Sequence, residues 1–254
     1  MEYALALGFG SFLLASLAVG VRLLLLARRT GQIPELLIGV GVLGIGPLGF
    51  GLSTIAALSG RSTILGATLI GCSFLALFIG AASQYLFAWY VFRIRDAWAR
   101  HLCFAAVLLL AASYAGDILE NGLINRNRGG VWFWLGMALR VGVLGWNAGE
   151  SFAYWARMRR RLRIGLADPV VTDRFLLWGM GSGAAFLGSL IGAVVIALTD
   201  FSTSRSPVMG LVLSAHGAVA AVAMWLAFLP PARYRHWIEE RSRERDVAVS
   251  SDSP

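Results

Sequence analysis

Arg140, Asn147, Glu150 and Ser151 stand inside an otherwise apolar run, Val131 to Trp155 (VWFWLGMALRVGVLGWNAGESFAYW). The run is long enough to cross a bilayer, and ionisable groups inside such a run mark a pathway, a ligand site or an internal ion pair. At about 100° per residue, with Arg140 as zero, Asn147 falls near −20°, Glu150 near −80°, Ser151 near +20° and Tyr154 near −40°. All share one helical face. Hydrocarbon cannot satisfy these groups, so the face must turn toward other protein or a wet cavity.

Other apolar segments offer partners. Ser113, Tyr114, Asp117, Glu120 and Asn121 share a face of a second helix. At about 1.5 Å per residue, Arg140 and His216 lie about 13 Å below the outer boundary, and Asp117 and Ser189 about 6 to 12 Å below it. With Glu120 nearer the surface, these five residues form an expected outer layer. A guanidinium there holds a carboxylate or another anion, and a histidine beside a carboxylate titrates near neutral pH. Arg22, Gln84, Asn147 and Glu150 form an expected inner layer, with Arg22 and Glu150 at similar depth. Three readings follow. Either Asp117 with Arg140, and Arg22 with Glu150, are ion pairs that neutralise charge and fix helix order, or the outer layer lines a cavity for a small polar or anionic molecule. In the third, the residues snorkel at the interfaces, Arg22 first among them because it lies so near the inner boundary.

Other chemistry is poorly provided for. The chain has three histidines, and His101, His216 and His236 fall at different levels, so neither a zinc set nor bis-histidine haem ligation is expected. No metal or cofactor is expected. All 22 basic residues are arginine, which excludes a retinal or pyridoxal Schiff base. Ser189, His216 and Asp117 contain the side chains of a hydrolytic triad, but a serine in a glycine-rich span is ordinarily a packing residue. Gly39, Gly41 and Gly44 match G-x-G-x-x-G without the strand and soluble βαβ unit that a dinucleotide site needs. Read as a helix, Gly39, Gly46 and Gly49 share one face while Gly41, Gly44 and Gly51 share roughly the opposite one, a segment thin on two sides and kinked at Pro47. Gly179 with Gly183, and Gly188 with Gly192, read first as bundle packing and second as a homodimer contact.

The elements that must position these residues are transmembrane helices. Apolar residues make up 57% of the 254, against 14% charged, and the mean hydropathy is +0.70, so the chain reads as an all-α integral membrane protein. Seven spans are expected at roughly 4 to 26, 35 to 59, 64 to 92, 101 to 121, 131 to 155, 175 to 198 and 207 to 229, forming one membrane domain over 1 to 229. Residues 230 to 254 make a cytoplasmic segment: a short juxtamembrane helix after Pro230-Pro231, then a disordered tail, VAVSSDSP. Sixteen arginines fall in the loops of one side and the C-terminal tail. Only Arg61, Arg126, Arg128 and Arg205 fall on the other, which puts the N-terminus outside and the C-terminus in the cytoplasm. That alternation, rather than nucleic acid, accounts for the net charge of +8. The first span is too long, and lacks the positive start, for a cleaved signal peptide. Cys72 and Cys103 fall near opposite faces, too far apart for a disulfide.

The stretches ARRTGQIPELLIGVGVLG and MRRRLRIGLADPVVTDRFLLWGMGSG share an order of basic pair, proline loop, acid and glycine-rich span, a faint internal repeat. Within them, GQIPELLIGVGVLG and GLADPVVTDRFLLWG resemble uncharacterised seven-span membrane proteins of bacteria. The resemblance implies the seven-helix fold and a cytoplasmic (inner) membrane, and it carries no catalytic or ligand residue. Three functions fit these features. The first is a receptor-like component that binds its ligand in the outer half and signals to a separate cytoplasmic or membrane partner. The second is a small secondary transporter, and the third an intramembrane hydrolase. Membrane lipid is a partner in each case.

Reporter fusions after residue 165 and at the C-terminus should both report a cytoplasmic location, since sixteen arginines against four is a bias that one misplaced span does not reverse. An extracellular signal from either fusion would contradict the seven-span map.

Overall fold

Helix boundaries follow local chemistry. In the computed structural model, which describes residues 2–60, 63–122, 130–199 and 207–251, α1 (Glu2–Thr30) ends where Gly31 turns at φ 69° and gives its N–H to Ala27 O at 2.8 Å. A left-handed residue at a helix end costs least as glycine. α2 (Ile33–Ile45) then starts with a proline in its first turn, where a missing N–H forfeits no helical bond. A π-helical turn, Gly46–Gly51, joins α2 to α3 (Leu52–Leu58). Pro47 cannot donate to the ladder, and the wider turn absorbs its ring, while Ser73 Oγ donates to Gly49 O at 2.7 Å. A π-helical turn thus stands where the sequence led to the expectation of a kink at Pro47.

Thr63 caps α4 (Ile64–Phe92), its hydroxyl accepting the Gly66 N–H at 3.0 Å. α5 (Ala97–Asn121) and α6 (Val131–Leu162) follow. Asp168 caps α7 (Pro169–Thr199) by accepting the Val171 N–H at 2.9 Å. α8 (Pro207–Phe228) ends at Pro230-Pro231, and α9 (Ala232–Ser251) follows.

The described residues form helices and no strands. Six of these elements are long and apolar enough to cross a membrane: α1, the unit from α2 through α3, α4, α5, α7 and α8. The chain is a multi-pass membrane helix bundle. α6 is 32 residues long, but Arg140, Asn147 and Glu150 lower its hydropathy, so it does not join those six.

The helices pack in a closed order. α1 lies between α8 and α2, α2 packs on α4, α6 on α7, and α7 on α8, while α4, α5 and α6 pack on one another. Two cores result. Ala15, Val19, Leu23, Ile38, Val42, Phe87, Trp178, Ala221 and Met224 fill the space among α1, α2, α4, α7 and α8. Ala81, Tyr85, Cys103, Ala106, Leu110 and Val143 fill the space among α4, α5 and α6. α4 serves both cores and is thin where it meets α2. A Cβ on Gly44 would lie 2.8 Å from Gly80 Cα and 2.8 Å from Ala76 O, so only glycine permits this approach.

The paired glycines of α7 are used inside the bundle: Gly179 lies under the Phe152 ring of α6, and Gly188 under His216 of α8. α7 itself runs unbroken where α2 carries the π-turn, so the two arms of the faint repeat differ in backbone. α9 is fastened to α7 by Tyr234, whose hydroxyl donates to Asp173 Oδ2 at 2.7 Å, and it buries Ile238 and Ser242. Burial and then the bond to Asp173 push the Tyr234 phenol above its usual range. The helix also runs to Ser251, through residues expected to be disordered. Arg235 and Glu239, four residues apart, have the spacing that supports a solvated helix. Residues 252–254, and Arg61, Arg126, Arg128 and Arg205, lie outside the described residues.

Candidate functional site

The α6 stripe is covered by α4 and α5, and it divides into two polar layers. In the half of the bundle away from the arginine-rich loops, Ser113, Tyr114 and Asp117 of α5 face Trp132, Phe133, Gly136 and Arg140 of α6 across a cavity that Phe74 of α4 completes. Its volume is about 10 Å³, room for about one water molecule. Asp117 is buried at 5% exposure and Arg140 is half-buried. Two glycines allow this arrangement. The Trp132 indole occupies the place a Cβ on Gly116 would take, and a Cβ on Gly136 would stand 3.0 Å from Ser113 Oγ and 3.4 Å from Arg140 Nη1. Ser113 Oγ donates to Leu110 O at 2.8 Å, and Tyr114 stacks on Phe78 while its hydroxyl reaches Gly71 O at 3.4 Å.

Asp117 and Arg140 are therefore brought to one cavity. The other members of the expected outer layer are placed elsewhere. Glu120 is exposed, its carboxylate beside Gly130 at the start of α6. Ser189 is half-buried on α7. His216 lies against Gly188, with Nδ1 2.7 Å from Val212 O of its own helix. α8 packs on α1 and α7 and not on α6, so His216 and Arg140 share a depth without sharing a neighbourhood. Depth follows from sequence at a fixed rise per residue, whereas position around the bundle depends on which helices neighbour which.

The second layer lies toward the arginine-rich end. Gln84, Asn147 and Glu150 are buried there. The Gln84 amide fills the place of a Cβ on Gly41 of α2, which explains a glycine at that position. Asn147 Nδ2 donates to Val143 O at 3.0 Å and to Gln84 O at 3.3 Å, tying α6 to α4. Glu150 Oε1 accepts from Arg93 Nε at 2.7 Å and from Trp146 Nε1 at 3.3 Å. Arg93 also reaches Asp96 Oδ2 at 3.2 Å, and its guanidinium lies 5.7 Å from the Trp98 ring centroid. Hydrogen bonds to Glu150 first, and then to Asp96, hold the guanidinium above its usual pKa. The expected partner, Arg22, is instead exposed on α1. α4 ends at Phe92, so Arg93 is the first residue past the helix and turns back onto α6. In the sequence it reads as one more positive loop residue. Its place directly after an apolar span, at the level of Glu150, was the only available signal.

Between the layers lies an apolar band. Ala81, Leu110 and Val143 are almost wholly buried, and Tyr85 turns its hydroxyl to Leu139 O at 2.8 Å. Buried side-chain atoms without a hydrogen-bond partner, among the described residues, are Glu35 Oε2, Trp89 Nε1, Asn147 Oδ1, Glu150 Oε2, Ser151 Oγ and Trp178 Nε1. All of them belong to the arginine-rich half. No three His, Cys, Asp or Glu side chains gather among the described residues.

No protein-family model matches the chain, and no curated protein or solved structure is significantly similar to it. The geometry alone carries the functional argument.

Removing Arg93 strands a buried carboxylate, whereas removing Arg22 strands nothing. Arg93→Ala should lower stability in detergent by on the order of 1 to 2 kcal/mol, less than a fully buried pair would lose because Arg93 is partly solvated. Arg22→Ala should leave the melting temperature unchanged. Equal losses from the two substitutions would refute the assignment of Arg93 as the partner of Glu150.

Proposed function

We propose that the chain is a seven-span protein of the cytoplasmic membrane, N-terminus outside, that binds a small polar or anionic group between α5 and α6 and acts as a receptor-like component. α6 is the seventh span in this reading, its polar stripe covered by α4 and α5 rather than by lipid. The observation that carries the proposal is the convergence of a guanidinium, a carboxylate, a hydroxyl and a phenol on one cavity, with Trp132 beside it. Charged groups at that depth are costly to keep, and a ligand that exchanges with part of their hydrogen bonding makes use of the cost.

The small cavity limits what enters. A space for about one water admits a monatomic anion or the polar end of a larger molecule, with Trp132 displaced for anything bulkier. Output passes to a separate cytoplasmic or membrane partner through the arginine-rich surface, where Arg157 packs on Tyr154, Arg159 on Trp155 and Arg241 on Trp237. Nucleic acid has no place in this scheme, and the homodimer stays a secondary reading because α7 uses Gly179 and Gly188 within the bundle. A transporter is the second reading. It is favoured by one observation: two polar layers on the same α6 face are separated by an apolar band, the arrangement of a two-sided pathway with a central seal.

Thermal unfolding of the purified protein with halides, phosphate and small carboxylates tests both readings. At least one should raise the melting temperature saturably, and Arg140→Gln should abolish that response while preserving folded yield. Uptake of the same ion into proteoliposomes would favour the transporter, and binding without flux the receptor. A wild-type protein indifferent to every ion would remove the basis for either.

A further inference from the structure

Three oxygens on little more than one turn of α6 have no hydrogen-bond partner: Asn147 Oδ1, Glu150 Oε2 and Ser151 Oγ. The residues carrying them are 1%, 6% and 0% exposed. Side chains three and four apart on a helix are neighbours, so Asn147 stands next to both Glu150 and Ser151. Its amide nitrogen is committed to Val143 O and Gln84 O, which turns Oδ1 away from those carbonyls. The other oxygen of Glu150 is committed to Arg93 and Trp146. What remains is a set of buried acceptors, and protein interiors keep few of these unless something supplies the missing donor or charge.

The chemistry of the set narrows that something. Carboxylate, amide carbonyl and hydroxyl are hard oxygen ligands, suited to a hard cation rather than to an anion. Local charge points the same way. Arg93 bridges Asp96 and Glu150, one positive group between two negative ones, which leaves a single negative charge at the cluster. Divalent cations usually draw on more oxygen ligands or carboxylates than this face provides. We propose that Asn147, Glu150 and Ser151 form a binding site for a small monovalent cation on the arginine-rich side of the apolar band. The site is separate from the cavity at Asp117 and Arg140, and it stands or falls independently of the ligand proposed there.

Unfolding of the purified full-length protein, followed by its nine tryptophans, tests this with sodium chloride against choline chloride at constant ionic strength. Sodium should raise the melting temperature saturably in the wild type. Ser151→Ala, which removes one hydroxyl and keeps the helix, should weaken the apparent affinity about tenfold, the scale of one lost polar contact. Glu150→Gln should abolish the response, and Arg140→Gln should keep it. If Glu150→Gln does not fold, the Ser151→Ala titration decides the question. Equal melting temperatures in sodium and choline, or an unchanged sodium response in Ser151→Ala, would overturn the site.

Discussion

A guanidinium and two carboxylates on apolar helices impose the constraint from which the rest of this architecture follows. Arg140, Glu150 and Asp117 cannot face hydrocarbon without a large free-energy cost, and they sit on helices whose remaining surface is made for it. The bundle resolves the conflict by turning the polar faces of α5 and α6 toward each other and laying α4 across both. Each charged group then meets polar neighbours while the outer surfaces stay apolar. Asp117 and Arg140 line one cavity, and Glu150 is held by Arg93.

That solution needs close packing, and the glycines supply it. α2 approaches α4 at Gly44 and Gly80, Gln84 lies in the space left by Gly41, and Trp132 lies on Gly116. The π-turn at Pro47 belongs to the same design, because it lets α2 follow α4 while Ser73 takes up a backbone carbonyl. The apolar band of Ala81, Leu110 and Val143 is the counterpart of the polar layers: it keeps the two sets of charges apart along α6. Two polar layers and a packed apolar core are thereby compatible along one helix.

Periodicity and composition make much of this legible in the sequence. The polar stripe on α6, the matching stripe on α5 and the glycine faces of α2 all follow from 3.6 residues per turn applied to an apolar background. That Asp117 and Arg140 line one cavity is legible as well, because their depths overlap at a fixed rise per residue. What sequence could not supply is the order of helices around the bundle. His216 shares a depth with Arg140, but α8 lies against α1 and α7, and Ser189 sits on α7, which packs on α6 without reaching the Asp117 cavity; equal depth says nothing of azimuth. Arg93 escaped for a different reason: a loop arginine that satisfies the positive-inside pattern looks complete without a partner. The length of α9 was hidden because polar, charged sequence supports a solvated helix as readily as a disordered tail.

The bundle depends most on the meeting of Asp117 and Arg140 in its interior, and a double-mutant cycle measures it. Asp117→Ala, Arg140→Ala and the double variant would be unfolded in the same lipid–detergent mixture, with stability read from denaturant titration. Each single change strands a charge in a buried site, so the double variant should be more stable than the sum of the two losses implies, with a coupling of about 1 kcal/mol or more. Strictly additive losses would mean that the two residues do not meet, and would contradict the account.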